Sequence, residues 1–507
     1  MILLGGGLML PAHAGIKLAP LFRDGAVLQR DKPIPVWGTA APGERIRVSF
    51  GGRTEGTIAG ADGRWMIHLP AQPASSSPAA LTVTGDQTVR ISDVLVGDVW
   101  VCAGQSNMEL SVRANQTSAD VMAGAKFPLI RQIKFPRTPA AQPAADIPGA
   151  WTACSPETVG TFSAAGFFFA REIQRVTGVP IGLVNNSHGG SPVEAWMSEA
   201  ALKSDPVFEA AFARWREVEA AYPKRKADAE VAIGRWEKEA AAAKAQGKDF
   251  TRRKPALPSP WGSGNLYRPS ALYHGMLHPL LPYAIRGILW YQGEANAERH
   301  EEYARLFSAM ITQWRRDFGQ GDVPFYFVQL ASYRKNPTAD PTGRQWALMR
   351  QAQAEALRLP NTGMVVNFDN MDPSDLHPKN KQTVGERLAA LALVCTYGTK
   401  DREHRGPVPD AVRTEGNALC VDFSHAQGLH TAGRPATAFE LAGRDGKFVP
   451  ATAHIEGHTI IVKAENLEHP VALRYAWRNV SEPCLFNREG FPAAPFQAGL
   501  PSPKTSN

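Results

Sequence analysis

Cysteine is scarce in this sequence of 507 residues, with five copies at widely separated positions: Cys102, Cys154, Cys395, Cys420 and Cys484. Cysteines so few and so scattered exclude a disulfide-stapled scaffold and a zinc site built from paired CxxC motifs. Because their number is odd, at least one thiol has no partner within the chain.

Long runs of one residue type are also missing. Lys and Arg number 55 against 48 Asp and Glu, a formal net charge of +7, and no long basic run or nucleic-acid motif occurs. Nucleic acid is therefore not an expected partner. Beyond residue 10 no apolar stretch has the length of a membrane span. Neither a P-loop nor a dinucleotide glycine fingerprint follows a strand, so we expect no nucleotide cofactor.

The N-terminus carries the one marked apolar run, Ile2 to Leu10, which contains three consecutive glycines. Ala12-His13-Ala14 follows and has the small-residue pattern of a signal-peptidase site. A buried strand is the alternative, but glycine weakens strands. We therefore expect a signal peptide over residues 1–14 and a periplasmic or secreted protein.

The rest of the chain has ordinary globular composition, with 44% hydrophobic residues, and falls into three parts. Residues 16–94 and 401–498 show short clusters of β-forming residues between glycine-containing turns, which is typical of β-sandwiches. Whether they form one sandwich or two stays open. Between them, residues 95–400 alternate apolar strands with helices, which favours an α/β domain whose parallel sheet is covered on both faces.

In this central part the predicted strands are 98–102, 181–185, 287–291, 324–330 and 363–368, and the predicted helices are 164–176, 301–318, 345–357 and 381–392. A charged, alanine-rich insertion, residues 199–254, interrupts the alternation. Aromatic residues recur in it at helical spacing, which predicts a helical hairpin with an aromatic core face.

The first chemical signal is Ser106, in the run Gly104-Gln105-Ser106-Asn107-Met108 after the first central strand. A turn of this kind can expose a hydroxyl at the carboxyl edge of a sheet, beside helix-start N–H groups that stabilise an oxyanion. An α/β-hydrolase nucleophile elbow needs glycine where Met108 stands, so that fold is disfavoured. A serine that merely caps a helix is the alternative.

The second signal is His377, in the segment Asp372-Pro373-Ser374-Asp375-Leu376-His377. A serine nucleophile needs a base, and the base needs a third group that orients it. His377 is the candidate base. Asp375, two residues earlier, can reach the imidazole Nδ1 within a turn, and Asp372 is a weaker option.

Two more strand ends lead into polar, glycine-containing turns. Gly189 and Gly190 can bring backbone N–H groups close to a ligand, because glycine permits close approach. Gln292 and Glu294 place an amide donor and a carboxylate in one loop. Ligands of open α/β sheets bind outside the carboxyl ends of strands, so we expect all four segments to converge at one edge.

Taken together these motifs resemble the sialate O-acetylesterase family of SGNH-type hydrolases over nearly the whole chain. The resemblance rests on Val27-Leu28-Gln29-Arg30, Pro35-Val36-Trp37-Gly38, the run at Ser106, Tyr291-Gln292-Gly293-Glu294, Leu376-His377-Pro378 with Lys381-Gln382, and Gly490 to Phe496. It implies a three-layer α/β/α SGNH-hydrolase domain flanked by jelly-roll-like β-sandwich regions. It also implies an esterase that removes O-acetyl groups from a sugar or polysaccharide without a cofactor.

Within this family Ser106 would be the nucleophile and His377 the base. The Ser106 N–H, an N–H from Gly189 or Gly190, and the Gln292 side chain would form the oxyanion hole. Relatives more often place the acid three residues before the histidine, where Ser374 stands here. We favour Asp375 as the acid, and a loop shared with related sugar esterases makes Glu294 the alternative.

Four further residues, Asn107, His188, Arg268 and His274, are expected to bind substrate. His188 stands where relatives often have Trp, and His274 where Asn is usual. Arg268 is a candidate partner for the carboxylate of sialic acid. Acetylated xylan or xyloglucan is the alternative substrate. The oligomeric state stays open.

Other protein classes fit less well. A non-catalytic glycan-binding protein would need no serine–histidine pair, and a lipase or thioesterase would need a long apolar groove where these loops are polar and aromatic. His274 and His278 have a helical zinc spacing, but the glutamate of a metalloprotease is absent and Pro279 follows. We expect no metal.

Overall fold

The computed structural model describes residues 15–258, 265–333, 338, 340–370 and 372–499. The predicted signal peptide, residues 1–14, lies outside the described residues. Within them, no helix combines the length and apolarity that crossing a membrane requires. All five cysteines are described and all are free thiols.

The strands of the described chain are β1 (Lys17–Leu18), β2 (Val27–Gln29), β3 (Ile34–Thr39), β4 (Arg45–Phe50), β5 (Arg53–Ile58), β6 (Arg64–Leu69), β7 (Ser75–Thr84), β8 (Thr88–Gly104), β9 (Phe127–Lys134), β10 (Trp151–Cys154), β11 (Ile181–Ser187), β12 (Gly287–Tyr291), β13 (Phe325–Val328), β14 (Thr362–Val365), β15 (Val408–Glu415), β16 (Ala418–Ser424), β17 (Phe439–Ala442), β18 (Phe448–Glu456), β19 (Thr459–Lys463), β20 (Ala472–Tyr475) and β21 (Phe496–Gly499). The α-helices are α1 (Ser106–Glu109), α2 (Ser118–Ala123), α3 (Ala164–Thr177), α4 (Glu199–Lys203), α5 (Glu209–Ala245), α6 (His300–Phe318), α7 (Gln345–Ala354) and α8 (Lys381–Cys395).

Strand β8 joins the N-terminal β region to the central sheet. Its first half pairs with β7 in antiparallel fashion, and its second half pairs in parallel with β11 and β12. The domain boundary predicted between residues 94 and 95 therefore falls inside one continuous strand of 17 residues. The chain passes from the first β region into the central sheet without a linker.

The central sheet has the strand order β10-β9-β11-β8-β12-β13-β14, and all but the edge strand β10 run parallel. The five strands predicted from apolar runs correspond to β8 and β11 to β14. Strand β9 was not predicted, because charged and amide side chains interrupt its apolar pattern. One of them, Arg131, is buried and its Nη2 donates to Asp93 Oδ1 at 2.8 Å.

Both faces of the central sheet are buried. Val99, Val101 and Ala103 of β8 belong to an apolar cluster that includes residues of α6 and α7. The alternate residues Trp100 and Cys102 belong to a second cluster with residues of α3 and α8. Side chains alternate between the faces of a strand, so a strand buried on both faces is apolar throughout.

The insertion is one long helix and not the hairpin expected from its sequence. α5 runs unbroken from Glu209 to Ala245 with Pro223 inside it, and no second α-helix follows it in the described residues up to 258. Ion pairs one turn apart, such as Lys224 with Asp228, line its exposed surface and support a solvated helix. The proline removes a single backbone hydrogen bond, which this length of helix accommodates.

The C-terminal strands β15 to β21 form a separate seven-stranded antiparallel sheet with its own apolar cluster. Among the described residues none of these strands pairs with the N-terminal β region, so the two β regions are distinct. Arg350 of α7, fully buried, donates to the carbonyls of Leu330, Ala331 and Asn479. It thereby ties the C-terminal region to the carboxyl end of β13.

Candidate active site

Ser106 stands immediately beyond the carboxyl end of β8. Gly104, the last residue of the strand, has φ 127°, and a Cβ there would lie 2.3 Å from the Tyr291 carbonyl oxygen. Only glycine fits this close approach between β8 and β12. The following Gln105 accepts hydrogen bonds from the backbone N–H groups of Gly293 and Ala295. These contacts fix the turn that presents the serine.

The loop before α8 brings His377 to this serine. Its Nε2 lies 2.8 Å from Ser106 Oγ, a hydrogen-bond distance. Desolvation and, more weakly, the charge of Lys381 lower the pKa of His377, while Asp375 acts in the opposite direction. The lowered pKa favours the neutral ring, which with its proton on Nδ1 can accept the hydrogen of the Ser106 hydroxyl.

Three carboxylates were candidates for orienting His377, and they occupy different positions. Asp375 Oδ1 accepts the His377 backbone N–H at 2.8 Å and lies 3.9 Å from Nδ1 of the ring. Asp372 is exposed and bonds Ser374. Glu294 is directed to Asn107. Asp375 is thus the carboxylate whose contacts favour a partnership with the base.

Asn107 lies beneath the Ser106–His377 pair, which differs from its expected role in substrate binding. It is 1% exposed, and its Nδ2 donates to Glu294 Oε1 at 2.5 Å and to the Leu376 carbonyl at 3.1 Å. Its Oδ1 accepts from Lys381 Nζ at 2.5 Å. An amide so deeply buried, with both amide hydrogens engaged within the protein, is not accessible to a sugar.

The expected oxyanion role of Gln292 is likewise not supported by its contacts. Gln292 is fully buried, and its Nε2 donates to the Ser191 carbonyl and to Asn296 Oδ1. Its Oε1 accepts from the Tyr303 hydroxyl. Both amide hydrogens are therefore engaged, and Gln292 braces the loops around the site.

Gly189 does lie beside the serine. A Cβ on Gly189 would stand 3.5 Å from Ser106 Cβ. Its N–H donates to Glu109 Oε2 at 2.9 Å, and Arg137 holds the same carboxylate through two hydrogen bonds. An oxyanion at this N–H must therefore displace Glu109. Gly190 follows with φ 76°, near the hydroxyl of the exposed Tyr267.

The three other residues expected to bind substrate lie in the surrounding loops. His188 is 6% exposed, its Nδ1 contacts the Gly189 carbonyl, and desolvation lowers its pKa. His274 is 8% exposed and contacts the Ala141 carbonyl. Arg268 is half-buried, and its charge acts on His274. The two histidines are therefore buried in the loops around the site and are not exposed to a substrate.

Metal ligation finds no support at the histidine pair considered above. His278 Nδ1 contacts the Ala144 carbonyl, much as His274 contacts Ala141. In the described ranges no group of three or more His, Cys, Asp or Glu side chains is placed to hold a metal ion.

Sequence reasoning missed Lys381, Glu109 and Arg137. Lys381 is fully buried at the first position of α8. Positive charge at a helix N-terminus is unfavourable, so a lysine there was a detectable signal of another role. Glu109 and Arg137 had no such signal, because their pairing depends on two loops that meet only in the fold.

A serine hydroxyl within hydrogen-bond distance of a histidine, outside the carboxyl ends of parallel strands, is an arrangement typical of hydrolases. Comparison with known families gives the same class. The family model for "Carbohydrate esterase, sialic acid-specific acetylesterase" matches residues 96–228 and 261–394. The match covers more than half of the chain, and the chain belongs to this family of carbohydrate esterases. Ser106 and His377 both lie in the matched ranges.

Relatives extend this similarity to nearly the full length. The chain is 28% identical to a sialate O-acetylesterase of Rattus norvegicus, over 96% of this chain and 95% of that protein. A sialate O-acetylesterase of Homo sapiens is 26% identical, with 97% and 96% covered. The crystal structure of a carbohydrate acetylesterase from Xanthomonas citri is 36% identical, with a TM-score of 0.79 over 95% of this chain and 99% of that chain. The protein is a carboxylic ester hydrolase.

Proposed function

We propose that the protein removes O-acetyl groups from carbohydrates through an acyl-enzyme formed on Ser106. The observation that carries this proposal is the 2.8 Å distance between Ser106 Oγ and His377 Nε2. In the first step His377 takes the hydroxyl proton while Oγ attacks the acetyl carbonyl. The sugar hydroxyl then leaves with that proton, and water, activated by the same histidine, releases acetate.

The oxyanion of the tetrahedral intermediate needs donors that face the developing charge. We assign this role to two backbone N–H groups, those of Ser106 and Gly189. Ser106 is the first residue of α1, so its N–H has no intrahelical acceptor. The N–H of Gly189 becomes available when Glu109 turns toward Arg137 and away from the glycine.

We assign the orienting role to Asp375. Its Oδ1 is already fixed by the His377 N–H, and the 3.9 Å to Nδ1 can shorten to a hydrogen bond by a small rotation. Positive charge on the imidazole during attack strengthens this contact.

The central domain, about residues 95–400, is in this proposal a three-layer α/β/α domain of SGNH type between two accessory β regions. Its support is the alternate burial of β8 against two separate sets of helices. Export from the cytoplasm also remains a proposal and rests on the apolar run before Ala14. N-terminal sequencing of protein recovered from the periplasm or medium tests it, since retention of residues 1–14 there would contradict cleavage.

For the substrate we propose an O-acetylated sugar, with O-acetylated sialic acid first. The support is the family match and the sialate O-acetylesterases among the relatives. Exposed Tyr267 and Arg137 lie beside Gly190 and Gly189 and offer a sugar platform and a cation.

The test is acetate release from a panel of O-acetylated sialic acids, acetylated xylan and acetylated xyloglucan, with Ser106→Ala as the blank. Highest kcat/KM on the sialic acids supports the assignment. Preference for xylan or xyloglucan would transfer it to a plant polysaccharide. Failure on all acetylated sugars, with activity on simple acetate esters, would contradict a carbohydrate substrate.

A further inference from the structure

A chain of three polar side chains, two of them buried and the third, Glu294, half-buried, lies under the catalytic pair. Lys381 Nζ donates to Asn107 Oδ1, and Asn107 Nδ2 donates to Glu294 Oε1, each at 2.5 Å. The three residues come from the start of α8, from α1 beside Ser106, and from the loop after β12. No reaction step described above uses any of them.

This chain touches both catalytic segments. Asn107 is the residue after Ser106, and its Nδ2 also donates to the carbonyl of Leu376, the residue before His377. The amide of Asn107 can make these contacts in only one orientation, with oxygen toward Lys381 and nitrogen toward Leu376. A flipped amide would place its oxygen against the Leu376 carbonyl, where two acceptors repel.

The ammonium group of Lys381 is not in contact with solvent. The side chain is fully buried, and its Nζ lies 4.9 Å from the centre of the Tyr291 ring, a cation–π distance. Glu294 and Asp375 are the anions that act on it, and His377 is the titratable group that its own charge affects. Desolvation lowers the pKa of Lys381 to about 7 and raises that of Glu294.

Given the proposed function, we infer that Lys381 is a positioning residue of the reaction: it fixes the Asn107 amide and so holds the His377 loop against Ser106. Burying an ammonium group costs desolvation free energy unless the charge is paired. A lysine at this position with a purely structural role would therefore destabilise the fold. Its positive charge also disfavours protonation of His377, which keeps the base free.

Two uncharged variants separate the hydrogen bond from the charge. Lys381→Met removes both, and Lys381→Gln keeps a donor for Asn107. On 4-nitrophenyl acetate, Lys381→Met should lower kcat about tenfold or more with KM within about twofold. Lys381→Gln should retain more of kcat. In both variants the acid limb of kcat/KM should move to higher pH, by roughly half a unit, because a cation near His377 is gone.

A double variant tests the route through Asn107. In an Asn107→Leu background, Lys381→Met should change kcat less than about twofold, because the amide that Lys381 orients is absent. Full additivity of the two losses would overturn the inference.

Lys32 provides the matched control. It is a half-buried lysine whose pKa desolvation also lowers, to about 8, and its Nζ donates to the Ile285 carbonyl and Gln320 Oε1 at the other end of the sheet. Lys32→Met should reduce thermal stability and leave kcat and the acid limb unchanged.

An acid limb that stays in place in both Lys381 variants, with kcat near that of the parent, would overturn the positioning role. That result would leave the proposed function intact, since Ser106→Ala tests the function separately. A loss of activity in Lys381→Gln that a lower melting temperature fully explains, with the acid limb in place, would also contradict the inference.

Discussion

The Oγ of Ser106 lies 2.8 Å from the Nε2 of His377, although 271 positions separate the two residues in the chain. Ser106 begins α1 just beyond the carboxyl end of β8, and His377 lies in the loop between β14 and α8. The parallel order of β8, β12, β13 and β14 brings these strand ends to one edge of the sheet. A hydroxyl paired with a neutral imidazole is the arrangement that transfers a proton during acyl transfer.

Removal of the proposed nucleophile, Ser106, should abolish turnover. We expect Ser106→Ala to lower kcat for acetate release by about a thousandfold or more while circular dichroism and melting temperature stay unchanged. Ser204→Ala, at an exposed serine after α4, is the matched control. His377→Ala should be similarly inactive, and the double variant should lose little more, because the two groups act as a unit. Losses that multiply would speak against a shared step.

The acid should be identified by near-isosteric variants. Asp375→Asn should reduce kcat by on the order of a thousandfold, because the amide favours the wrong histidine tautomer. Glu294→Gln should be milder, since Glu294 contacts Asn107 and not the imidazole. The comparison uses kcat at saturating substrate. A severe defect in Glu294→Gln beside a mild one in Asp375→Asn would transfer the role to Glu294.

The pH profile should report on His377. Its pKa is lowered by desolvation and by Lys381, and the base must be neutral to accept a proton. Activity should therefore persist below the ordinary histidine pKa of about 6.5 and fall as the pH drops through the lowered value. Removing the negative charge in Asp375→Asn should move residual activity to still lower pH, because Asp375 favours the imidazolium. Titration of kcat/KM between pH 4 and 8 measures both, and a midpoint above the ordinary value would contradict this account.

Gln292 should matter for stability more than for chemistry. Gln292→Ala leaves the Tyr303 hydroxyl and other buried groups without partners, which should cost about 1–3 kcal/mol of unfolding free energy. Urea denaturation measures the loss, and Gln351→Ala on the exposed side of α7 serves as the control. If kcat instead falls a hundredfold at unchanged stability, Gln292 is an oxyanion donor after all.

A side chain added at Gly189, next to Ser106, should lower kcat. A Cβ on Gly189 would lie 3.1 Å from Glu109 Oε2 and 3.5 Å from Ser106 Cβ. Gly189→Ala should therefore lower kcat by about ten- to a hundredfold through misplacement of the acetyl group. Gly234→Ala, in α5 with no atom near its Cβ position, should leave kcat unchanged. Equal activities of the two variants would place the oxyanion hole elsewhere.

Sequence patterns identified most of the central architecture. Apolar runs of strand length placed β8, β11, β12, β13 and β14, and the helical segments predicted to alternate with them correspond to α3, α6, α7 and α8 within a few residues. Local chemistry suffices for such elements, because a strand buried on both faces must be apolar throughout. It failed for β9, where buried Arg131 is paired by Asp93 from a different segment. It also failed for the insertion, where no local signal distinguishes a long exposed helix from a hairpin.

The sequence by itself determined which residue types were available for chemistry, a serine after one strand and a histidine with neighbouring acids after another. Only the tertiary structure decided which of these residues meet, because hydrogen bonds form between atoms within about 3 Å and their partners come from distant segments. Gln292 and Asn107 looked like free donors in sequence, and the fold engages both with buried neighbours. Lys381 entered the sequence analysis only as part of the family resemblance, and it became part of the site because packing of α8 buries its charge next to Asn107.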